Sequence, residues 1–185
     1  MKGAVLPLKI KASIMDSPAV GRAIKRLAHE IVEKNNGTDD VVIVGILKRG
    51  SYIASRLAEK IYEIEGTRVP VGDMDISFYR DDLGRNVQPV VNNTDIPFDI
   101  NGKNVVLVDD VLYTGRTVRA AIDCLFRMGR ARTVQLAVMI DRGLRELPIK
   151  ADFVGKNIPT SHTERVAVKM SECDGEDLVF IYEND

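Results

Sequence analysis

Three apolar runs rich in β-branched residues constrain this chain more than any other feature: VVIVGI (41–46), VVLV (105–108) and VQLAVMI (134–140). A strand with one face in water alternates polar and apolar residues. These runs do not, so they are expected to be covered on both faces. Between them, apolar residues recur at helical spacing. Val20, Ala23, Ile24, Leu27, Ala28, Ile31 and Val32 make one stripe, opened by Asp16-Ser17-Pro18 and stopped at Asn35-Asn36-Gly37. Ile53, Ala54, Leu57, Ala58 and Ile61 make a second, ending near Gly66, and a third helix is expected over about 116–128, closed by Gly129. Such strands alternating with helices predict an α/β fold, a mostly parallel central sheet flanked by helices. Arg68 to Phe78 is strand-like, and two alternating stretches near the end, RVAVKM and LVFIYE, predict a hairpin about Cys173-Asp174-Gly175. After Asp141 the chain reads as irregular.

At 185 residues the chain suits one domain, 1–185, with no low-complexity linker to divide it. The net charge of −1 gives no global field toward nucleic acid or a lipid surface, so any anion site must be local. Two cysteines far apart, Cys124 and Cys173, suit a reducing compartment, and two histidines cannot assemble a Cys/His zinc site. Pro7 and Lys9 interrupt the N-terminal apolar residues, and no run approaches the length of a membrane span. A cytoplasmic protein without membrane contact is the expectation.

In parallel sheets ligands bind outside the carboxyl ends of the strands. Three such ends carry polar chemistry: Lys48-Arg49-Gly50, then Asp109-Asp110 with the turn Thr114-Gly115-Arg116-Thr117, then Asp141-Arg142-Gly143. Gly115 lets the backbone turn its N–H groups inward, Thr114 and Thr117 add hydroxyls, and a helix start follows; together these suit a phosphate. The spacing is not that of a P-loop, and alone the turn is equally a helix cap. Asp109 and Asp110 share a face only if the strand has ended there. Carboxylates accept hydrogen bonds from a sugar diol or hold a hard cation such as Mg²⁺, so an acid pair five residues before a phosphate turn fits a ribose 5-phosphate. Lys48, Arg49 and Gly50 are by themselves an ordinary basic turn; beside such a site they are a candidate pyrophosphate holder.

VVLVDDVLYTGRT (105–117) resembles the signature of the type I phosphoribosyltransferases. SFYRDD, LAVMIDRG, RELPIKADFVGKNIPTS and the closing IYEND are further similar to the branch of that family in which a pyrimidine operon regulator doubles as a uracil phosphoribosyltransferase. The resemblance implies the type I fold with a hood over about 141–161 and a flexible lid loop over about 79–95. It implies phosphoribosyl pyrophosphate and uracil as substrates, UMP or UTP as bound nucleotide, and Mg²⁺ as cofactor. Asp109 and Asp110 would read the ribose hydroxyls and lie beside the metal, with Arg80 as a third catalytic residue next to Tyr79 at the start of the lid. Val111, Leu112, Tyr113, Thr114, Gly115, Arg116 and Thr117 would hold the nucleotide and its 5-phosphate. Lys48, Arg49 and Gly50 would meet the pyrophosphate, and Arg142, Ile149, Asp152 and Val154 would line the base site, with uracil read partly by backbone groups near Ile149 to Val154.

Arg22, Lys25, Arg26 and His29 recur at i, i+3, i+4 and i+7 on the first helix, away from its apolar stripe. Such a stripe is by itself a solvated helix face. The resemblance implies an RNA surface on a homodimer or higher homo-oligomer, binding the leader RNA of the pyrimidine operon. Arg26, His29, Arg145 and Lys156 match positions used there, and Lys150 extends the set. Leu144 stands where relatives can carry histidine. A salvage phosphoribosyltransferase with no RNA role is the alternative reading.

Overall fold

The computed structural model describes residues 9–76 and 94–183. Strands β2 (Val41–Ile46), β3 (Val71–Met74), β4 (Asn104–Leu112), β5 (Thr133–Asp141) and β6 (Phe153–Asn157) form one parallel sheet in the order β3–β2–β4–β5–β6. Strands β1 (Lys9–Met15), β7 (Glu164–Lys169) and β8 (Leu178–Glu183) form a separate antiparallel sheet, with β8 in the centre. Helices α1 (Ser17–Asn35) and α2 (Arg49–Glu65) cover one face of the parallel sheet, and α3 (Arg116–Met128) covers the other. A single turn, α4 (Ser171–Asp174), joins β7 to β8. Among the described residues no helix is long and apolar enough to cross a membrane.

The helix signals act as read. The Asp16 carboxylate accepts the Ala19 N–H at 2.9 Å, Pro18 sits in the first turn, and Asn36 closes α1 in the left-handed region. Val20, Leu27, Ala28 and Ile31 are fully buried, each large one contributing roughly 1.5–3 kcal/mol by leaving water. Gln135, buried in β5, is satisfied by exchanging hydrogen bonds with Asn35 of α1 at 3.0 and 2.9 Å.

Two expectations change. The acid pair does not follow the strand but lies inside it, because β4 keeps pairing with β5 as far as Leu112 opposite Asp141. Val105 and Leu107 face the α3 side while Val106 and Val108 face the α2 side; beyond the acids the alternation is reset, with Val111 on the α2 side and Leu112 on the α3 side. Second, the chain over 141–161 is not irregular throughout. The middle of that segment joins the parallel sheet as β6, and the smaller sheet is built from β1, β7 and β8. β1 is a strand because β8 supplies its partner; most of its own side chains are exposed. The predicted lid, with Tyr79 and Arg80, lies outside the described residues except for its end, where Asp95 bridges to Asp73.

The small sheet is tied to α2 by charge. Arg56 donates to the carboxylates of Asp177 and Glu172, at 2.7 and 2.8 Å in each case, and to Ser171 Oγ at 2.8 Å. The Arg56 hydrogen bonds hold the Asp177 carboxyl below the usual carboxylate range, against the opposing effect of its burial. A group whose folded pKa is lowered stabilises the fold above its unfolded value and ceases to do so as pH falls through the folded one. Asp177→Asn should therefore be less stable at neutral pH and lose stability less steeply below about pH 4, measured by urea unfolding across an acid series. Asp16→Ala should cost about 1 kcal/mol in the same assay through loss of the α1 cap.

Candidate active site at the strand ends

Gly115 initiates α3 from the left-handed region, at φ 92°. A methyl group there would also crowd Ile149 Cδ1 at 3.3 Å and Leu147 Cβ at 3.4 Å, so the turn needs glycine for both conformation and space. The first-turn N–H groups of a helix have no helical acceptor. Here Arg119 is the first to find one, Gly115 O at 2.9 Å. The carbonyls within reach of the earlier N–H groups are engaged elsewhere: Thr114 O accepts Glu146 N and Leu147 N, and Tyr113 O accepts Arg145 Nη1 at 2.8 Å. Among the described residues the Thr117 and Val118 N–H groups therefore have no backbone acceptor. A helix start with free donors is an anion cradle.

A cavity of about 320 Å³ opens over this turn, lined by Asp109, Val111 to Val118, Glu146 and Arg165. That volume falls in the range of small-molecule sites, roughly 300–1,000 Å³. Asp109 is buried and Asp110 half-buried, adjacent in β4. Asp109 Oδ1 also accepts Asp110 N at 2.9 Å, and Asp110 Oδ1 accepts Val111 N at 2.8 Å. Burial pushes the Asp110 carboxyl up from its ordinary value, against the pull of those hydrogen bonds and of the Arg49 charge. The pair is thus poised to accept either a diol or a cation that relieves it.

The loop before α2 approaches from the neighbouring strand. The Leu47–Lys48 peptide is cis. A Cβ on Gly50 would stand 2.5 Å from Val108 O and 3.3 Å from Asp109 Cα, so only glycine lets this loop lie against β4. Lys48 is exposed, while Arg49 is held by Asp174 through Nε at 3.0 Å and Nη2 at 2.8 Å. Ser51, the residue after Gly50, lies inside α2 and is buried.

The expected base residues are not gathered here. Asp152 sits at the opposite end of the sheet, its carboxylate accepting Leu136 N at 2.8 Å and pairing with Lys34. Val154 pairs with Val138 within the sheet, short of the Asp141–Asn157 pair that ends this ladder. Arg142 is buried, stacked 4.1 Å from the Tyr113 ring, and donates to Thr160 Oγ1, Ser161 O and Glu164 O. It fixes the chain leading to β7 rather than opening into the cavity. Of the four, Ile149 alone touches the turn, against Gly115. Arg116, assigned to the phosphate, forms an exposed ion pair with Glu146 at 2.7 Å, a contact of roughly 0–1 kcal/mol that an incoming anion can displace. Glu146 and Arg165 were invisible as site residues because only the folded chain brings 146 and β7 to the cavity.

On α1, Arg22, Lys25 and His29 are exposed, and Arg26 is half-exposed while donating to Val154 O and Gly155 O at 3.2 and 2.6 Å. Lys156, on the adjoining β6, reaches Ile14 O just before α1, so it borders the same surface. Lys150 is exposed. Arg145 is different: its side chain is 21% exposed and donates to Ile149 O, Tyr113 O, Gly143 O and the Asp141 carboxylate. Its donors face inward to the loop backbone, not outward to an RNA surface.

The phosphoribosyl transferase domain model matches residues 11–171. The chain belongs to the phosphoribosyltransferase family. Among its relatives is the protein named bifunctional protein PyrR of Bacillus subtilis (strain 168), 56% identical over 178 residues that cover 95% of this chain and 98% of that one. The protein of the same name in Clostridioides difficile (strain 630) is 56% identical over 174 residues, 94% and 98% of the two chains. The fold is shared with a hypoxanthine phosphoribosyltransferase from Staphylococcus aureus, with a TM-score of 0.70 at 22% identity, covering 96% of this chain and 94% of that one. The Trypanosoma cruzi hypoxanthine enzyme superposes with a TM-score of 0.73 at 21% identity over 96% and 93% of the chains.

Gly115→Ala tests the turn. It should destabilise the protein by about 1 kcal/mol or more in urea unfolding and weaken ribose 5-phosphate in calorimetric titration.

Proposed function

We propose that this chain transfers the phosphoribosyl group of phosphoribosyl pyrophosphate to uracil, giving UMP and pyrophosphate, and that it also binds the leader RNA of the pyrimidine operon under control of a uridine nucleotide. The observation that carries the enzymatic part is the meeting of Asp109, the Thr114–Thr117 turn and the free N–H groups of α3 around one cavity, with Lys48-Arg49-Gly50 against the same strand. In the reaction the bond from the anomeric carbon to pyrophosphate breaks, the bond to uracil N1 forms, and the N1 proton leaves. Charge on the ribose becomes oxocarbenium-like, so no nucleophilic side chain is required; position and charge neutralisation supply the rate.

The 5-phosphate would lie on the Thr117 and Val118 N–H groups and the Thr114 and Thr117 hydroxyls. Asp109 and Asp110 would accept the ribose hydroxyls. Mg²⁺ fits the donor set as a partner of substrate: two adjacent carboxylates offer oxygen ligands, and the described residues gather no third Asp, Glu, His or Cys to make an all-protein cage. Bound with pyrophosphate, it would neutralise charge on the leaving group. Arg165, on the cavity wall from β7, would be available to the base or to the 5-phosphate of the ribose.

The RNA part rests on the exposed stripe Arg22, Lys25, Arg26 and His29, flanked by Lys156. Arg145 would act there through the loop it holds.

Two experiments test the pair of roles. Asp109→Asn combined with Asp110→Asn should abolish UMP formation while the wild type uses uracil and not hypoxanthine; undiminished turnover in the double variant would remove the ribose site. Titration with leader RNA, with and without UMP at two salt concentrations, should show tight, UMP-dependent binding. Arg22→Gln and Lys25→Gln should each lower the salt slope by about one unit. Equal affinity for a scrambled RNA would leave the salvage enzyme as the better reading.

A further inference from the structure

Arg49 opens α2 at the edge of the acid pair, and its guanidinium is already held on one side. Asp174 of α4 takes the Nε and Nη2 edge in a two-point contact at 3.0 and 2.8 Å. The Asp174 carboxylate is itself fixed, with Oδ2 also accepting Met170 N at 3.0 Å and the Cys173 thiol at 3.1 Å. Met170 is fully buried, so the anchor moves only with the core of the small sheet. The Asp110 carboxylate lies near enough for its charge to help hold the Arg49 guanidinium protonated. Among the described residues nothing takes the remaining nitrogen, Nη1. Arg49 thus links Asp174, between β7 and β8, to the loop that Gly50 lays against β4 at Asp109.

We propose that Asp174 is a positioning residue for the phosphoribosyl donor: by gripping the Nε–Nη2 edge of Arg49 it presents Nη1 toward the pyrophosphate beside Asp110. This rests on the phosphoribosyltransferase reading of the site and adds to it a residue from the C-terminal sheet, outside every motif of the strand ends. A two-point grip removes the rotamer freedom of a long side chain before substrate arrives, so less is lost when the ligand binds. The neighbouring clamp of Arg56 on Glu172 and Asp177 performs the plain docking of the same segment, which separates the two roles.

The test is steady-state kinetics of UMP formation, with phosphoribosyl pyrophosphate varied, on Asp174→Asn, Arg49→Ala, the double variant, and Asp177→Asn as a docking control. Asp174→Asn should raise KM for the donor about tenfold, the worth of a charged hydrogen bond, with kcat changed much less. The double variant should be no worse than Arg49→Ala alone, since Asp174 acts only through Arg49. Asp177→Asn should lower the thermal midpoint with the donor KM unmoved. If Asp174→Asn lowers the midpoint as Asp177→Asn does and leaves KM unchanged, while Arg49→Ala raises KM, the positioning role is overturned and the site reading stands. Additive losses in the double variant overturn it as well. If Arg49→Ala leaves the donor KM unchanged, the pyrophosphate assignment of this loop falls, and the proposal with it.

Discussion

The guanidinium of Arg145 reaches the backbone carbonyls of Tyr113, Gly143 and Ile149 and the carboxylate of Asp141, so one half-buried cation joins the end of β4, the end of β5 and the loop that follows. The rest of the site depends on that junction. Tyr113 O is taken by Arg145 and Thr114 O by Glu146 and Leu147, and among the described residues the Thr117 and Val118 N–H groups of α3 have no backbone acceptor. The anion cradle follows from the helix start that Gly115 turns, and the Arg145 junction holds the loop beside it. Hydrogen bonds to a charged donor are worth more than neutral ones, roughly 1.5–3 kcal/mol each, which suits a loop with Leu144 at a positive φ of 58°.

The parallel sheet sets the geometry around it. Close approach at Gly50 brings the α2 loop against Val108 and Asp109, and pairing of β4 with β5 carries the acid pair past the point where a strand of its composition would be expected to stop. Burial pushes Asp110 up while Arg49 pulls it down, and Arg49 is itself held by Asp174. The small sheet then has two tasks, closing the core over α1 and α2 and, through the turn between β7 and β8, supplying the carboxylate that holds Arg49.

Much of this was legible in the amino-acid order. The doubly covered strands 41–46, 105–108 and 134–140, the two caps of α1, the end of α2 and the limits of α3 follow from periodicity and end signals, and the structure keeps them. β1 and β6 were not legible, because one is mostly exposed and the other is five residues long with a single buried side chain; each is a strand through its neighbour. The phosphate turn was legible because it is continuous in sequence. Glu146, Arg165 and Asp174 were not, since nothing local distinguishes them from solvated charges. Asp152, Val154 and Arg142, expected at the base site, lie apart from the cavity for the same reason in reverse: proximity in sequence to Asp141 did not say to which end of β6, or into which hydrogen bonds, they would go.

The central claim is that the acid pair and the Thr-Gly turn hold one ribose 5-phosphate between them. Backbone amide NMR of the protein titrated with ribose 5-phosphate and Mg²⁺ tests it most directly, because that ligand carries neither base nor pyrophosphate. The account predicts the largest shifts at Asp110, Val111 and Thr114 to Val118, with α1 unmoved. Saturable binding that shifts other residues and leaves Thr114 to Val118 in place would contradict it.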